Sequence, residues 1–204
     1  KKGAFAKIHE AGKLSSFLKA KKFTPERWET DKKNLIEKYN EYGYRDATIL
    51  KDSVWNVDPK HVDIYLKVDE GQKYYLRNIT WVGNTVYPTQ RLNAILGLKK
   101  GDVYNQKLLE KRVSKDDDAV ANLYYNNGYV FSSINPTEVN IDGDSIDLEM
   151  RVTEGPQAYL SHVRINGNTR LYENVVRREL RTKPGDLFSR EALMRSLREI
   201  QSMG

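Results

Sequence analysis

Hydrophobic and polar residues alternate most cleanly near the middle of the chain, where Ile146, Leu148, Met150 and Val152 interleave with Asp147, Glu149, Arg151 and Thr153. That period of two predicts a strand with one buried face. Asp142-Gly143, just upstream, predicts a hairpin joining it to the segment that begins at Tyr129. Residues 75–82 alternate too, with Ile79 and Trp81 facing one way and Asn78 and Thr80 the other. After Gly83-Asn84 the period lengthens: Leu92, Ile95 and Leu96 fall at helical spacing, with Thr89 as expected N-cap and Gly97 as stop. From Asn105 to about Asn126, Leu109, Val113, Val120, Leu123 and Tyr124 form one stripe against Lys115-Asp116-Asp117-Asp118. This predicts a single long helix, closed by Gly128. The order is β-α-α-β-β, an α+β unit with two helices over one face of a small sheet.

The unit recurs. Glu70-Gly71 returns as Glu154-Gly155, Tyr75-Leu76 as Tyr159-Leu160, Gly83-Asn84-Thr85 as Gly167-Asn168-Thr169, and Gly101-Asp102 as Gly185-Asp186, always 84 residues on. Gly43 and Gly128 are separated by 85. Such repetition marks tandem units. The expected organisation is a partial copy over 1–71 with no evident opening strand, a complete copy over 72–153, and a partial copy over 154–204 lacking the closing hairpin. In the first copy the helix stripe is Trp28, Leu35, Tyr39 and Tyr42, a turn falls at Asp58-Pro59, and Val62, Ile64, Leu66 and Val68 face inward. The third copy shows an opening strand (Val163, Ile165), a helix over 173–181, and a second helix with Ser189 as N-cap and Leu193, Leu197 and Ile200 on its stripe.

Composition narrows the class. Ten per cent of the 204 residues are aromatic, which excludes a disordered chain. No window approaches the roughly 20 apolar residues of a membrane-spanning helix, and KKGAFAKIHEAG at the start lacks the apolar core of a signal peptide. With no cysteine, disulfides and thiolate metal sites are excluded. The net charge of +6 is spread as 15 basic against 11 acidic residues over 1–69, 10 against 11 over 70–153, and 9 against 6 over 154–204. A nucleic-acid footprint requires a clustered patch, so no nucleic acid is expected. A basic tandem α+β module that binds nucleic acid is the alternative reading.

The motif order resembles the polypeptide-transport-associated (POTRA) domain. The matching residues are Val82-Gly83-Asn84-Thr85, the run from Gly97 through Gly101-Asp102-Val103-Tyr104, Tyr124 through Gly128-Tyr129, Glu154-Gly155-Pro156, and, in the third copy, Asn166-Gly167-Asn168-Thr169 and Lys183-Pro184-Gly185-Asp186-Leu187-Phe188. Tandem copies are similar to those of BamA-like outer-membrane protein assembly factors. The resemblance implies POTRA domains, each a three-stranded mixed sheet covered on one face by two helices. It implies a scaffold on the periplasmic face of the outer membrane that receives unfolded outer-membrane proteins and docks accessory lipoproteins. The full-length protein would carry a membrane β-barrel outside this sequence. The second strand of each unit is expected at a sheet edge, where a client strand adds by main-chain hydrogen bonds. The edge residues are then Tyr129, Val130, Phe131, Ser132, Ser133 and Ile134, and in the first copy Arg45, Asp46, Ala47, Thr48, Ile49 and Leu50. Asp46 and Pro136 are candidate guards against indiscriminate pairing. Gly71-Gln72 and Gly155-Pro156 are the expected interdomain hinges.

Enzyme signatures fail. Ser16-Phe17-Leu18-Lys19 has the S-x-x-K spacing without a partner motif, and His9, His61 and His162 are not at ligand spacing. Asp116-Asp117-Asp118 lacks the glycine and terminal glutamate of a calcium loop. Asn78-Ile79-Thr80 fits a glycosylation sequon inside a predicted strand, and the basic run from Arg177 to Arg181 reads as a solvated helix face. No catalytic residue, metal or cofactor is expected.

Overall fold

The structure, a computed structural model, describes residues 23–59, 61–167 and 172–202. The chain divides into two units, residues 1–38 with 47–70 and residues 39–46 with 71–204. Ser16, Lys19, His9, and Asn168-Thr169 of the repeated phrase lie outside the described residues.

In the first unit, helix α1 (Pro25–Glu41) leads to an antiparallel hairpin of β1 (Thr48–Asp58) and β2 (His61–Asp69). Trp28 and Leu35 are buried, seven residues apart on one stripe. The Trp28 indole N–H and the Lys32 ammonium both donate to Asp52 of β1 (3.2 and 2.8 Å). Two expectations fail here. Ile64 is exposed, and Tyr42 lies past the helix end and is exposed as well. Among the described residues the hairpin has two strands and one helix to cover it, so part of its apolar face stays open.

The second unit contains the complete copy. Its sheet runs β3 (Tyr75–Val82), β5 (Ser145–Thr153), β4 (Ser133–Asp142), with β3 parallel and β4 antiparallel to the central β5. Parallel neighbours require a long crossover, and the helices form it. Ile146, Leu148, Met150 and Val152 are all buried, and they share one core with Leu76, Leu92, Leu96, Leu109, Val113, Val120 and Tyr124. A register shift between Leu76 and Asn78 lets β3 turn both Leu76 and Ile79 inward, as an extra residue in a strand does.

Helix α2 (Thr89–Leu96) is preceded by Pro88 at the N-cap, so Thr89 is its first residue rather than its cap. The Thr89 hydroxyl instead accepts from the Asn84 amide (3.3 Å). The expected long helix is three pieces: α3 (Gln106–Glu110), a π-helical turn (Lys111–Lys115) and α4 (Val120–Tyr125). The break falls on the three aspartates. The Asn122 amide donates to the carbonyls of Asp116 and Asp117 (2.8 and 3.1 Å), and Arg112 binds the Asp118 carboxylate (2.9 Å). Asp and Asn compete with helical hydrogen bonding in this way.

The third copy contributes α5 (Glu173–Glu179) and α6 (Arg190–Ser202). The Ser189 hydroxyl accepts from the Ala192 N–H, capping α6 as expected. Residues 161–167 are not a strand, contrary to expectation. A parallel opening strand needs a central partner, and none pairs with it among the described residues. For the same reason Leu193 and Leu197, expected to cover a sheet, are exposed.

In the complete copy the repeated phrase is a turn with no room to spare, whereas Gly167 of the third copy has open space around it. Gly83 has φ +86°, and a Cβ there would sit 2.3 Å from the Val152 carbonyl oxygen. Gly143 also has positive φ (+58°) but open space around it. Gly143→Ala is therefore expected to cost about 1–2 kcal/mol, the price of left-handed backbone alone. Gly83→Ala should cost clearly more, because backbone must move, and urea denaturation of the two variants measures the difference. On the opposite sheet face, Arg77 donates to both oxygens of Asp147 (2.9 and 2.7 Å) and to Asp142 (2.6 Å). The Arg77 guanidinium draws the Asp147 carboxyl down to about 2. A depressed folded-state value stabilises above the unfolded value of about 4. That contribution should vanish as pH falls from about 4 through 2. Asp147→Asn should flatten this part of the stability profile, read by thermal melts at stepped pH.

Candidate binding edge and joints

Strand β4 pairs with β5 alone, so one side of its backbone lacks a strand partner among the described residues. The same holds for β1 beside β2. The edge begins later than the sequence suggests. Ser133 and Ile134 open β4, but Tyr129, Val130, Phe131 and Ser132 form a turn. The Tyr129 N–H donates to the Tyr124 carbonyl (3.1 Å), Val130 to Gly128 (2.9 Å) and Ser132 to Tyr129 (3.1 Å). Backbone donors committed inward cannot form a ladder. The Tyr129 ring meets Tyr124 edge-on at 6.1 Å, Ser132 is buried, and Phe131 is 68% exposed. In the first copy Thr48, Ile49 and Leu50 open β1, Ala47 is buried, and Asp46 precedes the strand and accepts from the Tyr74 hydroxyl (2.6 Å). Pro136 lies in β4, exposed and without an N–H to offer.

The remaining repeated residues meet at joints, whose backbone ties occur twice within the second unit. The Tyr74 N–H donates to the Gly43 carbonyl (2.9 Å), and the Ala158 N–H to the Gly128 carbonyl (2.8 Å). Leu76 and Leu160 donate to the carbonyls of Asp102 and Asp186 (both 2.8 Å), and Gly101 and Gly185 return bonds to Leu76 and Leu160 (both 2.7 Å). Tyr104 and Phe188 donate to Tyr74 and Ala158. Each aspartate also accepts from the N–H three residues before it, Lys99 or Lys183 (both 2.7 Å). Gly43 and Gly128 sit at φ +94° and +84°, and a Cβ would fall 2.5 Å from Val103 or 2.6 Å from Leu187. Sequence reasoning treated these glycines only as helix stops. Their second role, contact with the next copy, left a trace solely in the constant spacing.

Side chains dress the two joints differently. At the first, Glu138 of β4 accepts from the Tyr104 hydroxyl (2.6 Å) and pairs with Arg45 (2.7 Å). Burial, then the Glu138 carboxylate, raises the Tyr104 hydroxyl above its ordinary value. At the second, the matching positions are Val130, Phe131, Ala158 and Phe188. Of the expected hinges, Gly71 and Gly155 have φ +65° and +68°, and a Cβ at Gly155 would lie 3.2 Å from Phe131. Gln72 and Pro156 are exposed. Glu154, next to Gly155, accepts from the Val86 N–H (2.9 Å), the Thr85 hydroxyl and the Tyr124 hydroxyl (3.2 Å). The two repeated phrases, Glu-Gly and Gly-Asn-Thr, are thus physical partners.

Among the described residues no three His, Asp or Glu side chains gather as metal ligands. His61 pairs with Asp58 (2.7 Å) and His162 with the Ser161 hydroxyl (2.7 Å).

Comparison with known proteins places this geometry. The model of the POTRA family, described as surface antigen variable number repeat, matches residues 7–71, 74–155 and 158–204. A Treponema pallidum (strain Nichols) protein named for outer membrane protein assembly is 29% identical over 190 residues, covering 90% of this chain and 22% of that protein. The outer membrane protein assembly factor BamA of Nitratidesulfovibrio vulgaris is 27% identical over 190 residues, covering 93% of this chain and 24% of that protein. The chain thus spans about a quarter of the length of these relatives. The crystal structure of Haemophilus influenzae BamA POTRA3-5 superposes with a TM-score of 0.68 over 91% of this chain and 72% of that one, at 22% identity, a likeness of fold.

Gly128→Ala should loosen the second joint while sparing the core of the complete copy. Hydrogen exchange is expected to quicken at Ala158, Leu160 and Phe188 and to stay slow in β5. Equal acceleration in both places would mean the glycine serves global folding instead.

Proposed function

The chain belongs to the POTRA family, and from that premise we propose that it is the receiving arm of an outer-membrane β-barrel assembly factor, held on the periplasmic face of the outer membrane. Its clients are unfolded outer-membrane proteins, and accessory lipoproteins dock on the same arm. The full-length protein carries the β-barrel. These domains bind rather than catalyse.

The observation that carries this reading is the strand order β3-β5-β4, which leaves β4 at a margin. An incoming strand adds there through main-chain bonds that disregard its side chains, as a receptor for many clients requires. Each such bond contributes about 0.5–1.5 kcal/mol net, so four or five give binding that releases readily. The proposed site is Ser133 and Ile134 and the rest of β4, with Thr48, Ile49 and Leu50 opening the second such edge. The turn residues Tyr129 to Ser132 flank the site. The domain divisions near 71 and 155 are where we place the bending points, at Gly71-Gln72 and Gly155-Pro156.

A peptide taken from an outer-membrane barrel strand, titrated into the labelled chain, should shift amide resonances over residues 133–142 or 48–58. Shifts confined to α2, α3 or α6 would defeat the edge proposal.

A further inference from the structure

We propose that Asn166-Gly167 is a site of spontaneous deamidation, yielding aspartate and isoaspartate in the repeated phrase of the third copy. The reaction makes structural demands. The backbone nitrogen of the next residue must reach the Asn side-chain carbonyl carbon, and glycine, with no Cβ, obstructs that approach least. The side-chain amide must be free of bonds that hold it elsewhere. The backbone must be able to turn, which packed and hydrogen-bonded segments allow only by opening locally.

Asn-Gly occurs twice in the chain, at 127–128 and 166–167, in opposite surroundings. The first is closed to the reaction. The Asn127 side-chain amide donates to the Leu123 carbonyl (2.8 Å), and the Asn127 carbonyl accepts from Gln157 (3.1 Å). Gly128 is buried, with Leu187 2.6 Å from where a Cβ would stand, and its carbonyl receives the Ala158 N–H (2.8 Å). The second is open. Residues 161–167 belong to neither helix nor strand, and Asn166 is exposed. Its side chain has no hydrogen-bond partner among the described residues, and a Cβ at Gly167 would meet nothing within 4 Å.

The other turns of this kind lack the means. Val82 stands in the complete copy where Asn166 stands in the third, 84 residues on, so that turn has no amide to lose. At Asp142-Gly143 the carboxylate is held by the Arg77 guanidinium (2.6 Å).

Water is the only co-reactant. The Gly167 nitrogen forms a bond to Cγ of Asn166 and gives up its proton, the Cγ–Nδ2 bond breaks, and ammonia leaves. Water then opens the cyclic imide. Attack at Cγ restores the ordinary backbone and leaves aspartate. Attack at the main-chain carbonyl leaves the chain running through Cγ, as isoaspartate. Either product places a negative charge where the chain had none, and isoaspartate also inserts a methylene into the main chain just before Gly167. The joint bonds of Leu160, Gly185 and Asp186 lie on other residues.

Incubation of the 204-residue chain at mildly alkaline pH, followed by peptide mapping and an isoaspartyl methyl-acceptor assay, tests this. In the folded chain the peptide holding Asn166 should convert about tenfold or more faster than the peptide holding Asn127, the ratio that a local opening cost of about 1.4 kcal/mol or more at Asn127 produces. In guanidinium chloride the two rates should converge, because the dipeptide is the same and only the fold separates them. Asn166→Val, which supplies the residue of the complete copy, should abolish most of the methyl-acceptor signal and the acidic charge variant that accumulates with it. Equal rates at the two sites in the folded chain would overturn the proposal. So would a difference that survives unfolding, or a signal retained in full by Asn166→Val.

Discussion

A carbonyl presented by a residue with no side chain is the contact on which the serial arrangement depends. At Gly128 the chain leaves α4 at φ +84°, and its carbonyl receives the Ala158 N–H at 2.8 Å with Leu187 packed where a Cβ would stand. At Gly43 the same geometry receives the Tyr74 N–H, with Val103 in the place of Leu187. Any larger residue must both adopt left-handed backbone and displace its neighbour. From this contact follow the exchange of bonds between Leu160, Gly185 and Asp186 and the placement of Phe188. The spacing of the repeat is thus fixed by backbone, and a joint between second and third copies is a built structure rather than a tether.

Because backbone carries the geometry, side chains at the joints are free to differ. Arg45, Asp46, Tyr74, Tyr104 and Glu138 form a charged and hydroxyl-bearing cluster, whereas Val130, Phe131, Ala158 and Phe188 stand in the corresponding places 84 or 85 residues on. Glu138 belongs to the margin strand β4, so part of that strand's side-chain capacity is already committed to Arg45 and Tyr104. The first joint therefore adds side-chain hydrogen bonds that water competes for, whereas the second sets apolar side chains in those places, Phe131 among them largely exposed.

This division explains what was legible beforehand. The alternation of Ile146, Leu148, Met150 and Val152, the hairpin at Gly143 and the Gly83 turn depend on local rules, and the sequence states them openly. The resemblance to POTRA domains came from those same turns. The broken helix was harder: Val113, Val120 and Tyr124 keep one stripe across the break, so periodicity alone read it as continuous, and only Asp116-Asp117-Asp118 with Asn122 argued otherwise. The third copy's opening strand depends on a central partner, a tertiary condition that Val163 and Ile165 cannot announce. The start of the edge was missed because Tyr129 and Phe131 have strand propensity, while the backbone donors of residues 129, 130 and 132 are already spent on a turn.

A sheet margin must avoid indiscriminate pairing, and β4 carries the means. Pro136 offers no donor, and the register shift between Glu138 and Asn140 interrupts the ladder within the strand. A long uninterrupted margin with exposed Val139 and Ile141 would invite aggregation. Divided by a proline and a bulge, it offers only short runs of main-chain groups. The same two features therefore limit the length of any strand that could pair along β4.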